Sequence, residues 1–278
     1  MNKYLIGIFA CVLLVFSCKG NKAGDADVVS DSDSVAADTA AVDTMEQLIS
    51  ETPMPKAADE LFDDFFFNFA GNRKLQMKRI KFPLEVVNGK SRKMVEKGQW
   101  KMEHFFMRQG YYTLIFDNRR QMELVKDTNI NHVVVEKIFL KRHSVTRYTF
   151  DRTDGQWMMQ SVVTEPLQRN NNASFLKFYQ RFARDSAYQV RHLQNPVKFV
   201  TDDPDDEFKK MTGLLTPDTW PAFAPQLPSQ MIYNIIYGQS YKESTSKVFV
   251  IRGIANGLEM EMCFRNVRGR WLLTELNQ

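Results

Sequence analysis

The side chains best suited to acid–base or metal chemistry in this 278-residue chain are four histidines, three cysteines and the glutamates of its predicted strands. Glu103 and His104 are adjacent, and a carboxylate beside an imidazole is a common general acid–base pair. Neighbouring residues of a strand point to opposite faces of a sheet, so we predict that these two side chains do not act together. The histidines and cysteines form neither a Cys-x-x-Cys pair nor a His/Cys cluster. The sequence therefore predicts no metal site and no cofactor.

Four further glutamates on predicted strands could act as bases: Glu123, Glu136, Glu259 and Glu261. The last two alternate with apolar residues of the segment 258–264, so we expect both to face solvent. The sequence contains no Ser/His/Asp arrangement, no phosphate-binding glycine loop and no helical His-Glu motif. We therefore predict no catalytic residue.

The first residues have the pattern of an export signal. Lys3 precedes an apolar run over residues 4–16, which falls short of the roughly 20 residues that span a bilayer. The tetrapeptide Val15-Phe16-Ser17-Cys18 resembles the bacterial lipobox. That resemblance implies removal of residues 1–17 and acylation of Cys18, whose several acyl chains would form a stable membrane anchor. An ordinary cleaved signal peptide is the alternative.

Residues 18–57 have the composition of a disordered acidic tether. Residues 1–60 hold 4 basic and 10 acidic side chains, whereas the whole chain has 37 and 33, so residues 61–278 carry a net charge of +10. Ser34, Thr39 and Thr44 each follow an aspartate, and these triplets resemble the O-glycosylation sites of some gut bacteria. Lys19 directly follows Cys18 without an acidic cluster, which favours the periplasmic face of the outer membrane over the cell surface.

Residues 58–278 contain one sequence pattern twice. Phenylalanines 62, 65 and 69 match Phe175, Phe178 and Phe182 at a shift of 113, and Gln76 matches Gln189 at the same shift. Near the other end, Trp157 matches Trp271 at a shift of 114. A register that drifts by one residue over this length indicates duplication of a whole unit. We predict two domains, over residues 58–168 and 169–278.

Each predicted domain opens with a helix whose apolar residues recur with helical periodicity. Asp59 is the predicted N-cap of the first helix and Gly71 its end, and Asn172 or Ser174 caps the second. Antiparallel strands follow in each copy, and Asp154-Gly155 and Arg268-Gly269 are the predicted hairpin turns. The fold class is α+β, with two tandem cone-shaped domains, each an N-terminal helix packed in a curved antiparallel sheet.

The pattern Phe-x-x-x-x-Gly-x-Trp, at Phe150 and again at Phe264, resembles the last hairpin of the nuclear transport factor 2-like, or ketosteroid-isomerase-like, family. Together with the lipobox, the duplicated unit resembles an uncharacterised family of gut-bacterial lipoproteins with that fold. The resemblance implies a pocket between helix and sheet. Isomerases of this fold use an Asp base, a Tyr and a protonated Asp in an apolar pocket.

Aromatic residues outside the repeat register are the predicted ligand lining, at the mouth of a cone or between the two domains: Tyr111, Tyr112, Trp220, Tyr233 and Tyr237. The leading hypothesis is a non-catalytic lipoprotein that binds an envelope glycan, lipid or protein. Basic clusters along the chain favour a solvated surface over nucleic-acid binding. An isomerase or cyclase, with a deep pocket and a carboxylate of raised pKa, is the alternative. A third hypothesis is a structural subunit with a large exposed apolar patch and no pocket.

Overall fold

A computed structural model describes residues 47–49, 51–239 and 244–278. The predicted signal peptide, Cys18 and the predicted glycosylation sites Ser34, Thr39 and Thr44 lie outside these residues. None of the described helices is long and apolar enough to cross a membrane.

The described chain folds into five α-helices, five short 3₁₀ helices and twelve strands. The helices are α1 (Phe62–Gly71), α2 (Arg73–Arg79), α3 (Ala173–Phe182), α4 (Ser186–Arg191) and α5 (Trp220–Phe223). The 3₁₀ helices are Lys56–Asp59, Lys97–Gln99, Met107–Gln109, Arg119–Lys126 and Leu167–Arg169. The strands of the first half are β1 (Ile80–Asn88), β2 (Ser91–Val95), β3 (Tyr111–Phe116), β4 (His132–Phe139), β5 (Ser144–Thr153) and β6 (Gln156–Pro166). Those of the second half are β7 (Leu193–Asp203), β8 (Asp206–Leu215), β9 (Met231–Ile236), β10 (Ser246–Gly253), β11 (Glu259–Val267) and β12 (Arg270–Asn277).

The strands form two six-stranded sheets, and the two halves of the chain exchange one strand. The first sheet has the order β2-β1-β6-β5-β4-β9, and the second has the order β3-β10-β11-β12-β7-β8. Strand β9 therefore leaves its own half to pair with β4, while β3 pairs with β10. Hydrogen bonds join the two exchanged strands, from Tyr233 N to Thr113 Oγ1 (2.9 Å) and from Ile115 N to Asn234 Oδ1 (2.9 Å).

The exchanged strands serve both hydrophobic cores. Leu114 and Phe116 of β3 belong to the first core, whereas Ile115 belongs to the second. On β9, Ile235 lies in the first core and Ile232 in the second. Because successive side chains of a strand point to opposite faces, one strand can contribute to a core on each side. Strands β3 and β9 are thus a shared wall between the two cores.

The phenylalanine stripe of α1 is buried as its periodicity predicts. Phe62, Phe65, Phe66 and Phe69 are almost completely buried, and Phe150 of β5 packs edge-on against Phe69 with ring centroids 5.4 Å apart. In the second half, Phe264 packs in the same way against Phe182, also at 5.4 Å. Aromatic rings meeting at such angles add stabilisation beyond the burial of their area.

The prediction that Asp59 is the N-cap of the first helix is wrong, because the N-cap residue of α1 is Leu61. Asp59 is instead buried in an ion pair with Arg79, whose two terminal nitrogens lie 2.9 and 2.6 Å from the carboxylate oxygens. The same carboxylate accepts a hydrogen bond from Trp157 N (3.2 Å). In the second half, Asn172 is the N-cap residue of α3, but its side chain makes no capping hydrogen bond.

The sheets are mixed, which corrects the prediction of wholly antiparallel sheets. Strands β1 and β6 run parallel, as do β7 and β12. Strands β2 and β8 lie at an edge of each sheet, where they pair with β1 and β7. The exposed, polar sequence of β2 lacks the apolar alternation of a half-buried strand.

Candidate functional site

A pocket of about 220 Å³ lies beside the first turn of α1. The helix contributes two carboxylates and two aromatic rings, and the rest of the lining comes from both halves of the chain. The lining residues are Asp63, Asp64, Phe66, Phe67, Phe106, Tyr112, Ile235, Gly253 and Ile254. Because β9 and β10 meet α1 only through the strand exchange, this pocket depends on the exchange.

Helix α1 positions Asp63 by its periodicity. Asp63 lies one turn before Phe66 and Phe67, so all three side chains fall on one side of the helix. Asp63 and Asp64 both occupy the first helical turn, where negative charge interacts favourably with the helix dipole. Asp64 is exposed at the rim, while Asp63 is half-buried.

Asp63 is held by a tyrosine from the other half of the chain. The hydroxyl of Tyr237 donates to Asp63 Oδ1 at 2.6 Å. Burial raises the pKa of Asp63 to about 6, against the lowering effects of this hydrogen bond and of the charge of Arg252. Burial also raises the pKa of Tyr237, so the phenol remains a donor at neutral pH. The pair therefore offers a carboxylate that changes charge near pH 6.

Tyr112 also lines the pocket, and Arg252 is its partner in the register of β3 and β10. Arg252 Nε donates to Glu259 Oε2 at 3.1 Å, which balances its charge within the site. Burial raises the pKa of Tyr112 above its usual range, with a smaller contribution from the charge of Asp63. The hydroxyl of Tyr112 therefore stays neutral.

Phe106, which also lines the pocket, contacts two tyrosine rings. Its ring stacks on Tyr112 (centroids 5.0 Å apart) and packs edge-on against Tyr233 (5.9 Å). The preceding residue, Phe105, has a positive φ of 48°, an uncommon conformation for a bulky side chain that re-aims the chain at this turn. The buried hydroxyl of Tyr233 has no hydrogen-bond partner among the described residues.

The structure brings three of the five predicted lining residues together. Tyr112 lines the pocket, Tyr237 binds its carboxylate, and Tyr233 contacts Phe106 behind it. Tyr111 points the other way and packs against the second core. Trp220 is buried in the second core, where its indole nitrogen donates to Gln189 Oε1 at 3.0 Å.

Trp220 has a structural counterpart that the repeat register did not show. Trp100 Nε1 donates to Gln76 Oε1 at 3.1 Å, just as Trp220 donates to Gln189. Gln76 and Gln189 in turn donate to the carbonyl oxygens of Phe69 (3.0 Å) and Phe182 (2.8 Å). The two tryptophans are 120 residues apart, whereas the glutamines are 113 apart, so differing connections between them hide the correspondence.

Sequence reasoning missed Asp63, Arg252 and Phe106 as site residues. A signal for Asp63 was present, because the residue 113 positions later is Leu176. A carboxylate in one half and a buried leucine at the matching position of the other half is a difference that favours a functional over a purely architectural role. Arg252 and Phe106 carried no comparable signal, because their proximity to Asp63 arises from the exchange of strands.

The other candidate acid–base residues are held in separate interactions. Glu103 binds Lys137 Nζ (3.0 Å) and Tyr148 Oη (2.9 Å), while His104 lies beside Arg108, so the two adjacent side chains have different partners. Among the residues that the structure describes, no three His, Cys, Asp or Glu side chains are grouped to hold a metal ion.

Two strand glutamates are buried by neighbouring elements. Glu136 is 2% exposed and accepts hydrogen bonds from Asn170 (2.8 Å) and Asn234 (2.9 Å). Burial raises its pKa. The expected solvent exposure of Glu261 is wrong, because Arg119 covers it and donates to Glu261 Oε1 from Nε at 2.5 Å. Glu259, by contrast, is exposed as predicted.

Comparisons with known proteins relate the chain to one family and one solved fold. A family model described as Domain of unknown function (DUF4348) matches residues 41–278. The crystal structure of an NTF2-like protein from Bacteroides fragilis is similar, with 39% sequence identity and a TM-score of 0.74. The likeness covers 81% of this chain and 98% of that chain. No curated protein matches the chain.

Proposed function

The chain belongs to the DUF4348 family and has an NTF2-like fold, and from this premise we propose that it is a ligand-binding module. We propose that its ligand occupies the pocket beside Asp63. The observation that carries the proposal is the pairing of a half-buried carboxylate with an aromatic wall built from both halves of the chain. The module is non-catalytic and acts in the cell envelope.

The lining favours a small organic cation with an apolar body. Asp63 and Asp64 supply negative charge, and Phe66, Phe67 and Phe106, whose aromatic rings can attract cations, line the same pocket. The competing positive charge of Arg252 is balanced by Glu259. At about 220 Å³ the pocket is smaller than the roughly 300–1,000 Å³ typical of drug-sized ligands, which limits the ligand to a small headgroup or molecule.

Choline is a suitable probe, and calorimetric titration of the full-length chain in detergent micelles measures its binding. We expect Asp63→Asn to weaken choline binding by about tenfold or more, because a charged contact in a partly buried site is lost. We expect the affinity of the parent protein to fall as the pH is lowered through about 6, since protonation neutralises Asp63.

Two controls make this test specific. Asp154→Asn makes the same chemical change at an exposed hairpin position and should leave binding unchanged. Dimethylbutanol, in which carbon replaces the charged nitrogen of choline, should bind much more weakly than choline. Equal binding of the neutral isostere, or an Asp63→Asn variant that binds as the parent does, would contradict the proposal.

Asp63 also favours a second candidate, proton transfer by an isomerase or cyclase. A carboxylate with a pKa near 6 beside a tyrosine hydroxyl is suited to general acid–base catalysis at neutral pH. Against it, phenylalanines of α1 and Phe150 fill the space between helix and sheet in the first half, and Phe175, Phe182 and Phe264 fill it in the second. Turnover of a small carbonyl compound that is lost in Asp63→Asn would favour the enzyme.

We propose that a lipid on Cys18 anchors the protein to the outer membrane, on the periplasmic face. The lipobox resemblance supports the anchor, and Lys19, which directly follows Cys18 without an acidic cluster, supports the periplasmic face. We also propose glycosylation of Ser34, Thr39 and Thr44 and duplication of one ancestral unit over residues 58–168 and 169–278. An envelope glycan, lipid or protein would then be the source of the ligand.

The anchor has a direct test. Cells that express the chain and are fed radioactive palmitate should label the parent protein, and Cys18→Ser should abolish the label, because acylation requires the thiol of this residue. Cys263→Ser is the matched control and should retain the label. Labelling that persists in Cys18→Ser would place the acyl group elsewhere.

A further inference from the structure

A second pocket, of about 490 Å³, lies at the start of α3 in the second half of the chain. Its walls come from residues 170–175, from residues 244, 245 and 247 at the start of β10, and from Asn266 and Trp271 of the last hairpin. No carboxylate lines it among the described residues. The lining is instead rich in side-chain amides and hydroxyls.

Asn172 is the distinctive residue of this pocket. It is 1% exposed, and its Oδ1 accepts a hydrogen bond from Lys247 Nζ at 2.6 Å. Its Nδ2, in contrast, has no partner among the described residues. A buried N–H group left without an acceptor destabilises the protein, so a ligand oxygen that accepts from it forms a hydrogen bond that the unliganded protein lacks.

The surroundings favour an acceptor that carries negative charge. Asn172 precedes the ten-residue helix α3, whose N-terminal N–H groups attract anions. The ammonium group of Lys247 lies against Asn172 and is paired with Asp117, which faces it from the end of β3. The nearby Glu136 is already engaged by Asn170 and Asn234, so its charge does not compete for Asn172.

In the first half of the chain, the position that corresponds to Asn172 holds a carboxylate. Asp59 lies 113 residues before Asn172 and is satisfied by Arg79 and by Trp157 N. In the second half an amide replaces this carboxylate: Asn172, whose Nδ2 has no partner among the described residues, is one of the residues that line the pocket. The second half therefore presents donors at a position where the first half carries an internal anion.

We propose that this pocket binds an oxyanion, a carboxylate or phosphate group of a small ligand, through Asn172 Nδ2 and the first turn of α3. The site is separate from the pocket beside Asp63 and does not depend on the function proposed for it. Free phosphate and an acidic sugar such as glucuronate carry the same recognised chemistry and distinguish a phosphate source from a glycan source.

Calorimetric titration of the full-length chain in detergent micelles with phosphate and with glucuronate, at constant ionic strength, tests the proposal. We expect at least one of the two ions to bind, and Asn172→Asp to weaken that binding by roughly tenfold or more. The aspartate keeps the acceptor for Lys247, removes the N–H donors and adds a repelling charge. Asn88→Asp, the same change at an exposed position of the first sheet, should alter binding by less than about twofold.

A measurement on the parent protein covers the case in which Asn172→Asp fails to fold. The side-chain NH₂ resonances of Asn172 should shift on addition of the bound ion, and those of Asn88 should not. Failure of both ions to bind, equal binding by the Asn172→Asp variant, or an unmoved Asn172 resonance would overturn the proposal. Binding of choline at the Asp63 pocket is measured separately, so failure at one site is distinguishable from failure at the other.

Discussion

Asp63 destabilises the folded protein at neutral pH, because its surroundings favour the protonated carboxyl group. Its ordinary pKa is 3.8, and burial raises the folded-state value to about 6. Between these two values the folded protein binds a proton that the unfolded chain does not. The contribution of this group to stability is therefore greatest below about pH 4 and is lost as the pH rises through about 6.

This linkage predicts the pH dependence of the Asp63→Asn variant. Asparagine keeps the acceptor for Tyr237 but carries no charge to bury, so the variant should be more stable than the parent at pH 7 by roughly 2–3 kcal/mol, and about equal to it near pH 4. Urea unfolding of both proteins at several pH values measures the difference. Asp154→Asn, which changes an exposed carboxylate, is the control. A difference between Asp63→Asn and parent that stays constant with pH would contradict the linkage.

A buried carboxylate that lowers the stability of the folded protein at neutral pH is typical of a functional site. The burial that destabilises the fold also shifts the pKa of the carboxylate into a range useful for binding. Asn172 shows the same feature with a neutral group, because its buried amide leaves a donor without a partner in the described chain. Each residue differs from its counterpart in the other half, Leu176 for Asp63 and Asp59 for Asn172. Both proposed sites therefore lie at positions where the two halves of the chain differ.

At the level of secondary structure, local patterns predicted the elements whose causes are local. The helical stripe of α1 is buried as expected, and the predicted hairpin residues Asp154 and Arg268 have φ values of 50° and 52°, each followed by a glycine at positive φ. Turn geometry and helical periodicity depend on residues close in sequence, so one sequence suffices to find them.

Local sequence patterns do not predict features that depend on contacts between residues far apart in the chain. The position of Asp59 just before the helix predicts an N-cap, but its carboxylate accepts hydrogen bonds from Arg79 and from Trp157 N instead. Trp220, outside the repeat register, is predicted to line a ligand site, but its indole donates to Gln189 in the second core as that of Trp100 donates to Gln76. The pocket beside Asp63 likewise arises from contacts between helix α1 and strands of the other half. The sequence predicts Tyr112 and Tyr237 as candidate lining residues, but it does not predict that they meet at the same pocket.

At the scale of the whole molecule, the exchange of β3 and β9 makes each half depend on the other. Each sheet takes one of its six strands from the other half, and both exchanged strands contribute side chains to both cores. The strand alternation that predicts β3 and β9 is the same whichever sheet they join, so sequence periodicity does not reveal the exchange. Pairing across the halves joins residues far apart in the chain, which increases the loop-closure entropy that folding must overcome.

This dependence predicts that residues 58–168 and 169–278 do not fold as separate chains. Alone, each would lack one strand of its sheet and would expose the face of its own exchanged strand, Ile115 in one and Ile235 in the other. We expect neither piece to show a cooperative thermal transition by circular dichroism, and an equimolar mixture refolded together to recover one. The matched control is the full chain with a protease site inserted after residue 168 and cut after folding, which should keep its transition because both exchanged strands are already in place. A single piece that melts cooperatively as a monomer would show that the halves are self-sufficient and that the exchange adds little to their stability.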